Sequence, residues 1–335
     1  MADRSSIEWT DATWTPIKGC SRHSPGCINC YAEIMAARFS QPGQWGEGLA
    51  RIVDTPQGKD HRWTGVTRFD DKELLKPMGW KKPRRIFVCS TSDLFHESVP
   101  DEWIDQVFAV MALCPQHIFQ VLTKRADRMR EYLTARKTAA PIMVPVGDGT
   151  LGQHPFNNEL KVPSNIWLGV SVEDHERALL RIPDLLATPA AVRWLSCEPM
   201  LGPIFLTDVA DGCSTVLTPE CWGDCDCSSL FGYDPGCRRN GGDGTLIRKI
   251  DWVVVGGESG PGARPMDPEW PRTLRDDCHD ADVPFFFKQW GAHVPCGQML
   301  ADGRLWANGS NNTLLTTKKF AGRFLDGVQH DGMPA

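Results

Sequence analysis

No stretch of the chain approaches the roughly 18 consecutive apolar residues that a membrane-spanning helix needs, so an integral membrane protein is not expected. The opening residues, Met1 to Thr10, hold no apolar core of the kind a secretory signal has, and a cytoplasmic protein is the expectation. Neither charge dominates: 36 Lys and Arg against 42 Asp and Glu leave a net charge of -6, which argues against a protein that simply coats nucleic acid but leaves a local basic patch open. The glycine fingerprint of a dinucleotide-binding turn is also missing, which removes the usual mark of a doubly wound nucleotide fold.

Cysteine, by contrast, is plentiful. Thirteen among 335 residues is an odd number in a chain without a visible export signal, so reduced thiols serving as metal ligands fit better than a secreted disulfide framework. Three of them, Cys20, Cys27 and Cys30, share a Gly-, Ser- and Pro-rich loop that opens directly into Tyr31 to Arg38, which reads as a helix. A loop can wrap soft ligands around an ion or cluster, and the positive end of a helix favours thiolates. Three ligands in place of four leave one coordination position for a substrate or cofactor. The rival reading adds His23 and closes a structural Cys3His zinc tetrahedron.

From residue 84 short apolar runs alternate with helical stretches. The runs are 85–89, 117–122, 166–170, 192–197, 252–255 and 283–287, and a first strand is expected near 14–18. Helices are expected over 101–111, 126–137 and 175–186, and residues 41–80 are read as a long, partly ordered connection. Continuous apolar strands between helices predict an α/β fold with a parallel sheet covered on both faces, here a full or partial (β/α) TIM-type barrel of six or seven units. One domain spans 1–335, with a Pro/Gly-rich insertion at 139–164, a cysteine-rich insertion at about 205–248 and a C-terminal extension at about 291–335. Asp93, Lys124, Glu173, Glu198, Glu258, Lys288 and Gln289 all fall just past predicted strand ends, the face on which barrels place their chemistry. Singly each reads as a solvated loop residue; as a set they read as a site.

The cysteine-rich insertion carries Cys213, Cys221, Cys225, Cys227 and Cys237 in Gly/Asp/Ser-rich sequence. The last four would hold a second metal, either zinc or an auxiliary iron–sulfur cluster, that folds a loop with little core of its own. Incidental thiols on an exposed insertion are the alternative.

The Cys20-x6-Cys27-x2-Cys30 loop resembles that of the radical-SAM superfamily, whose usual spacing is C-x3-C-x2-C after the first barrel strand. The resemblance implies that Cys20, Cys27 and Cys30 bind a [4Fe-4S] cluster whose fourth iron is chelated by S-adenosylmethionine (SAM), and that reductive cleavage of SAM yields a 5'-deoxyadenosyl radical. The first gap is six residues in place of three, and Asn29 stands where an aromatic is usual. The superfamily's Gly-Gly-Glu element belongs after the second strand; here Ser90-Thr91-Ser92-Asp93 occupies that place, making Ser92 and Asp93 the candidates for the SAM amine, while Gly256-Gly257-Glu258 follows a late strand. On this reading Lys124, Glu173, Glu198 and Glu258 line the cavity.

A closer resemblance spans nearly the whole chain. The segments 14–16, 121–125, 168–173, 196–199, 255–260 and 286–291, taken with the cysteine loop, look like a phage and prophage family of unknown function that is similar to the radical-SAM proteins. It implies a three-Cys-motif partner protein, an external electron donor and a nucleotide or DNA substrate. The alternative is a zinc-stapled, non-catalytic phage protein that binds nucleic acid or a partner, with Lys81, Lys82, Arg84, Arg85, Lys124 and Arg125 on phosphates and tryptophans as stacking surfaces.

Overall fold

The structure is a computed structural model and describes residues 5–56, 58–138, 143–145, 151–153, 163–207, 209, 216–217, 249–307 and 313–335. The chain divides into two compact units, residues 1–169 with 189–191 and residues 170–188 with 192–335. In the first, β1 (Ala12–Trp14), β2 (Arg85–Val88) and β3 (Ile118–Thr123) pair in parallel, and β4 (Ile166–Ser171) follows β3 in the sheet order. In the second, β5 (Val192–Cys197), β6 (Trp252–Gly256) and β7 (Phe285–Gln289) pair in parallel, with β4 next to β5. The seven strands thus succeed one another in chain order with no reversal. A doubly wound sheet reverses at a switch point, so this order is compatible with a partial (β/α) barrel.

The strands form where apolar runs are continuous. Every residue of β4 and of β6 is buried, as a sheet covered on both faces requires. Helices α1 (Tyr31–Arg38), α2 (Asp101–Leu113), α3 (Ala126–Thr138), α4 (His175–Ala187) and α5 (Glu269–Asp280) supply the alternation. The α4 start is fixed by its N-cap Asp174, whose side chain accepts from the Arg177 N–H at 3.0 Å. In the first unit's core Trp14 packs on Phe119 with ring centroids 5.6 Å apart; in the second, Trp194 packs on Trp252 at 5.3 Å. Side chains of this size each stabilise by about 1.5–3 kcal/mol when fully buried.

Three expectations are corrected. The first strand does not run from 14 to 18: it breaks at Pro16, which has no N–H to give the ladder, and Ile17–Lys18 pairs antiparallel with Arg68–Phe69 instead. Residues 41–80 include a regular hairpin, Ala50–Thr55 against Gly58–Trp63, in six-pair register. The last strand reaches Gln289, so Lys288 and Gln289 end the strand and do not follow it. The C-terminal extension adds to the sheet: Phe287 N–H donates to the His330 carbonyl at 3.0 Å and Gly332 N–H to the Phe285 carbonyl at 3.0 Å, laying residues 330–332 along β7. Among the described residues no helix is long and apolar enough to cross a membrane.

Candidate functional site

In the first unit the cysteine loop leaves the short strand 17–18 at Gly19, whose φ is +93° and where a Cβ would sit 2.1 Å from the Val66 carbonyl oxygen. Only glycine can make that approach. The loop is then tied down at both ends. Arg22 donates through Nε and Nη2 to Glu33 Oε2 at 2.8 and 2.6 Å, and Glu33, buried on α1, also accepts the Trp63 N–H at 2.7 Å. Tyr31, directly after Cys30, donates its hydroxyl to the Ser90 carbonyl. Ser92 donates to the Ile17 carbonyl at 2.6 Å and bridges Gly19, so the loop after β2 lies along the start of the cysteine loop.

The three cysteines are half-buried residues on one loop: burial foremost, then the Asp93 carboxylate and the other two cysteines, push the Cys20 thiol up, while the Arg125 guanidinium pulls it down. Burial also raises Cys30, the N-cap of α1, and the backbone amides of Glu33 and Ala32 work against that rise. Cys27 Sγ accepts the His23 N–H at 3.5 Å. The His23 ring is on an exposed residue. Among the described residues no three His, Cys, Asp or Glu side chains converge on a single ion position. A zinc tetrahedron needs all its sulfurs about 2.3 Å from one point, whereas a cubane gives each thiolate its own iron. Three thiols on one loop, with the His23 ring exposed, make a donor set of the kind that soft metal ions and iron–sulfur clusters take.

Behind Cys20 sits a network that the sequence did not announce. Asp93, only 5% exposed, accepts from Phe95 N–H (3.0 Å), Thr123 Oγ1 (2.7 Å), Lys124 N–H (3.1 Å) and Arg125 Nη1 (3.1 Å). Arg125 also reaches Glu97 Oε2 through Nε at 2.7 Å and Ser21 Oγ through Nη2 at 2.9 Å. The Ser21 hydroxyl in turn donates to Glu97 Oε1 at 2.9 Å and meets His96 Nε2 at 2.9 Å. Because His96 Nδ1 accepts the Ser98 N–H at 3.1 Å, the ring proton is on Nε2 and points at Ser21. Ser92 and Asp93, the residues predicted for a cofactor amine, are thus held by partners within the chain, and Lys124 is half-buried with its backbone on Asp93. Of the residues expected on phosphates, Arg125 is buried, Arg85 pairs with Asp11, and Arg84 lies over the Trp80 ring at 4.7 Å.

The second unit brings Glu198, Lys288 and Gln289 together. Lys288 Nζ donates to both Glu198 oxygens at 2.8 and 2.7 Å, and Gln289 Nε2 to Oε1 at 3.1 Å and to the Gly257 carbonyl at 2.9 Å. Consecutive strand residues ordinarily face opposite sides of a sheet. Here the register of β6 on β7 slips, Val255 opposing Phe287 and Gly256 opposing Gln289, and the bulge at Lys288 turns both side chains onto one carboxylate. The Gly256-Gly257 pair makes room: a Cβ at 256 would stand 3.2 Å from the Glu198 carboxyl carbon, and one at 257 would stand 2.1 Å from the Trp290 carbonyl oxygen. Glu258 is clasped by Arg264 through Nε (2.8 Å) and Nη2 (2.6 Å), and fully buried Glu173 by Arg181 at 2.8 Å. Sequence reasoning missed both arginines, which lie on the following helix or loop six and eight residues beyond their partners. The second cysteine group, Cys221, Cys225, Cys227 and Cys237 with Cys213, lies outside the described residues.

Among known proteins, a stretch of 97 residues is 30% identical to an alanine racemase of Verminephrobacter eiseniae (strain EF01-2), and the chain spans 25% of that relative's length and matches over 25% of its own. No solved structure matches the chain. The cysteine loop, the Arg125 network and the bulge at Lys288 all lie within residues 4–334, the span matched by the model of the family described as protein of unknown function (DUF5131), and the chain belongs to that family.

Proposed function

We propose that the chain is an iron–sulfur enzyme of radical-SAM type, from a phage or prophage lineage, working in the cytoplasm. Cys20, Cys27 and Cys30 would hold a [4Fe-4S] cluster and leave one iron for SAM. The observation that carries this reading is the cysteine loop: three cysteines on one loop between the short strand 17–18 and α1, pinned by Arg22–Glu33 and by the loop after β2. When bound, the cluster supplies the single electron, drawn from an external donor, that breaks the carbon–sulfur bond of SAM. The chain's own residues hold the loop, exclude water behind Cys20 and, in the second unit, present the Glu198–Lys288–Gln289 group. A nucleotide or DNA substrate and a three-Cys-motif partner complete the proposal, as does a metal at the 221–237 cysteines, zinc or iron–sulfur.

The test is anaerobic reconstitution followed by iron, sulfide and zinc analysis, with electron paramagnetic resonance of the reduced protein in the presence and absence of SAM. The expected result is about four irons per chain beyond any held by the 221–237 cysteines, and a signal that changes on adding SAM. Cys27→Ala is expected to lose that cluster, and Glu198→Gln to keep it while slowing SAM cleavage. Stoichiometric zinc with no iron, or SAM cleavage intact in both variants, would overturn the assignment.

A further inference from the structure

Arg125 stands out as a buried cation that the proposed reaction does not use. It is 5% exposed, and its guanidinium makes three directed contacts, to Asp93, Glu97 and Ser21. Ser21 is the residue after Cys20, and its carbonyl accepts the Cys20 thiol at 3.4 Å. The Ser21 hydroxyl is fully engaged, donating to Glu97 and accepting from Arg125 and His96, so the backbone beside Cys20 has little freedom. Asp93 fixes the other side of the guanidinium from the loop after β2. A salt-bridged surface arginine would be screened by water; this one is held in low dielectric beside one chosen cysteine, flanked by a buried carboxylate and a largely exposed one.

We propose that Arg125 is a positioning residue for the cysteine site: it seats Cys20 through Ser21, and its charge, balanced against Glu97, sets the reduction potential of the cluster bound there. This deepens the iron–sulfur reading and rests on it. Adding an electron makes a cluster more negative, so a neighbouring fixed cation favours the reduced form and a neighbouring carboxylate opposes it. The two residues therefore act with opposite sign on one quantity. A purely architectural role for the network would not separate them.

The experiment is a redox titration of the reconstituted protein, read by electron paramagnetic resonance, for wild type, Arg125→Gln, Arg125→Lys and Glu97→Gln, with iron content and thermal unfolding measured on each. The midpoint potential is expected to fall in Arg125→Gln, to return toward wild type in Arg125→Lys, and to rise in Glu97→Gln. Glu97 is largely exposed, so its variant is expected to fold and decides the matter even where Arg125→Gln loses its cluster. A Glu97→Gln potential that is unmoved or falls would overturn the proposal while leaving the cluster itself established. A wild-type chain that takes up no cluster would instead overturn the iron–sulfur reading, and this inference with it.

Discussion

Lys288 and Gln289 are neighbours in one strand, yet both donate to the Glu198 carboxylate 90 and 91 residues earlier in the chain. The register slip between Val255 and Gly256 makes this geometry, and the glycines of β6 and the residue after it leave space for it. The pair is mostly withdrawn from water, with side-chain exposures of 12% for Lys288 and 21% for Glu198.

Removing one partner of such a pair strands the other. Lys288→Met is expected to destabilise the fold by about 2–4 kcal/mol, since breaking a buried ion pair costs more than the pair itself contributes. Adding Glu198→Gln should recover part of that loss. Denaturant unfolding of the two single variants and the double variant measures the coupling, and additivity within about 0.5 kcal/mol would show that the two side chains do not act on each other.

Two glycines with different surroundings give a second comparison. Gly257→Ala would drive a Cβ to 2.1 Å from the Trp290 carbonyl oxygen, a contact with backbone on both sides that cannot yield cheaply. A loss of at least 2–3 kcal/mol, or about a factor of 30–150 in the folding constant, is expected. Gly43→Ala meets nothing within 4 Å and pays only for its φ of +77°, about 1 kcal/mol. Equal melting temperatures for the two variants would contradict the close approach at Gly257.

The network behind Cys20 should make the first unit acid-sensitive. Burial works to raise the Glu97 carboxyl, but its hydrogen bond from Arg125 and that from Ser21 outweigh burial and hold it down at about 2, against an ordinary value of 4.5. A depressed folded-state pKa contributes stability that is complete above about pH 4.5 and is lost as pH falls toward 2. His96 acts in the same sense over a higher range: burial, then the Arg125 charge, depress it below 6.5, so the unfolded chain takes up the proton first and stability declines as pH falls below that value. Denaturation midpoints followed from pH 7 to 3 should fall less steeply in Glu97→Gln below pH 4.5 and in His96→Gln as pH first drops below 6.5. Curves parallel to wild type in both variants would contradict the assignment.

The alternation of strands and helices was legible because each sheet strand is an apolar run with a polar loop behind it; 192–197 and 166–171 show it best. The hairpin over 50–63 was not, since Arg51, Asp54, Lys59 and Asp60 give it no apolar face to read and no glycine-rich two-residue turn marks its bend. Glu198 and Asp93 do follow the ends of their strands, as their apolar runs predict, but their partners could not be read from spacing. Arg125 looked like half of a basic dipeptide and is instead a buried cation whose contacts lie 28 to 104 residues away in sequence. The bulge that aims Lys288 is a property of pairing, which one strand's sequence does not carry.

The three residues laid along β7 have a consequence for how the second unit meets other molecules. An outermost strand ordinarily offers a row of unmet amides and carbonyls to any extended peptide. Residues 330–332 occupy that row, and the Trp252 indole locks them by donating to the Gly332 carbonyl at 2.8 Å. A protease cut between 326 and 329 would leave every described helix of the unit in place and yet open this seam. The damage would first register as chains adhering to one another, with helical content unchanged, so light scattering would report it before circular dichroism did.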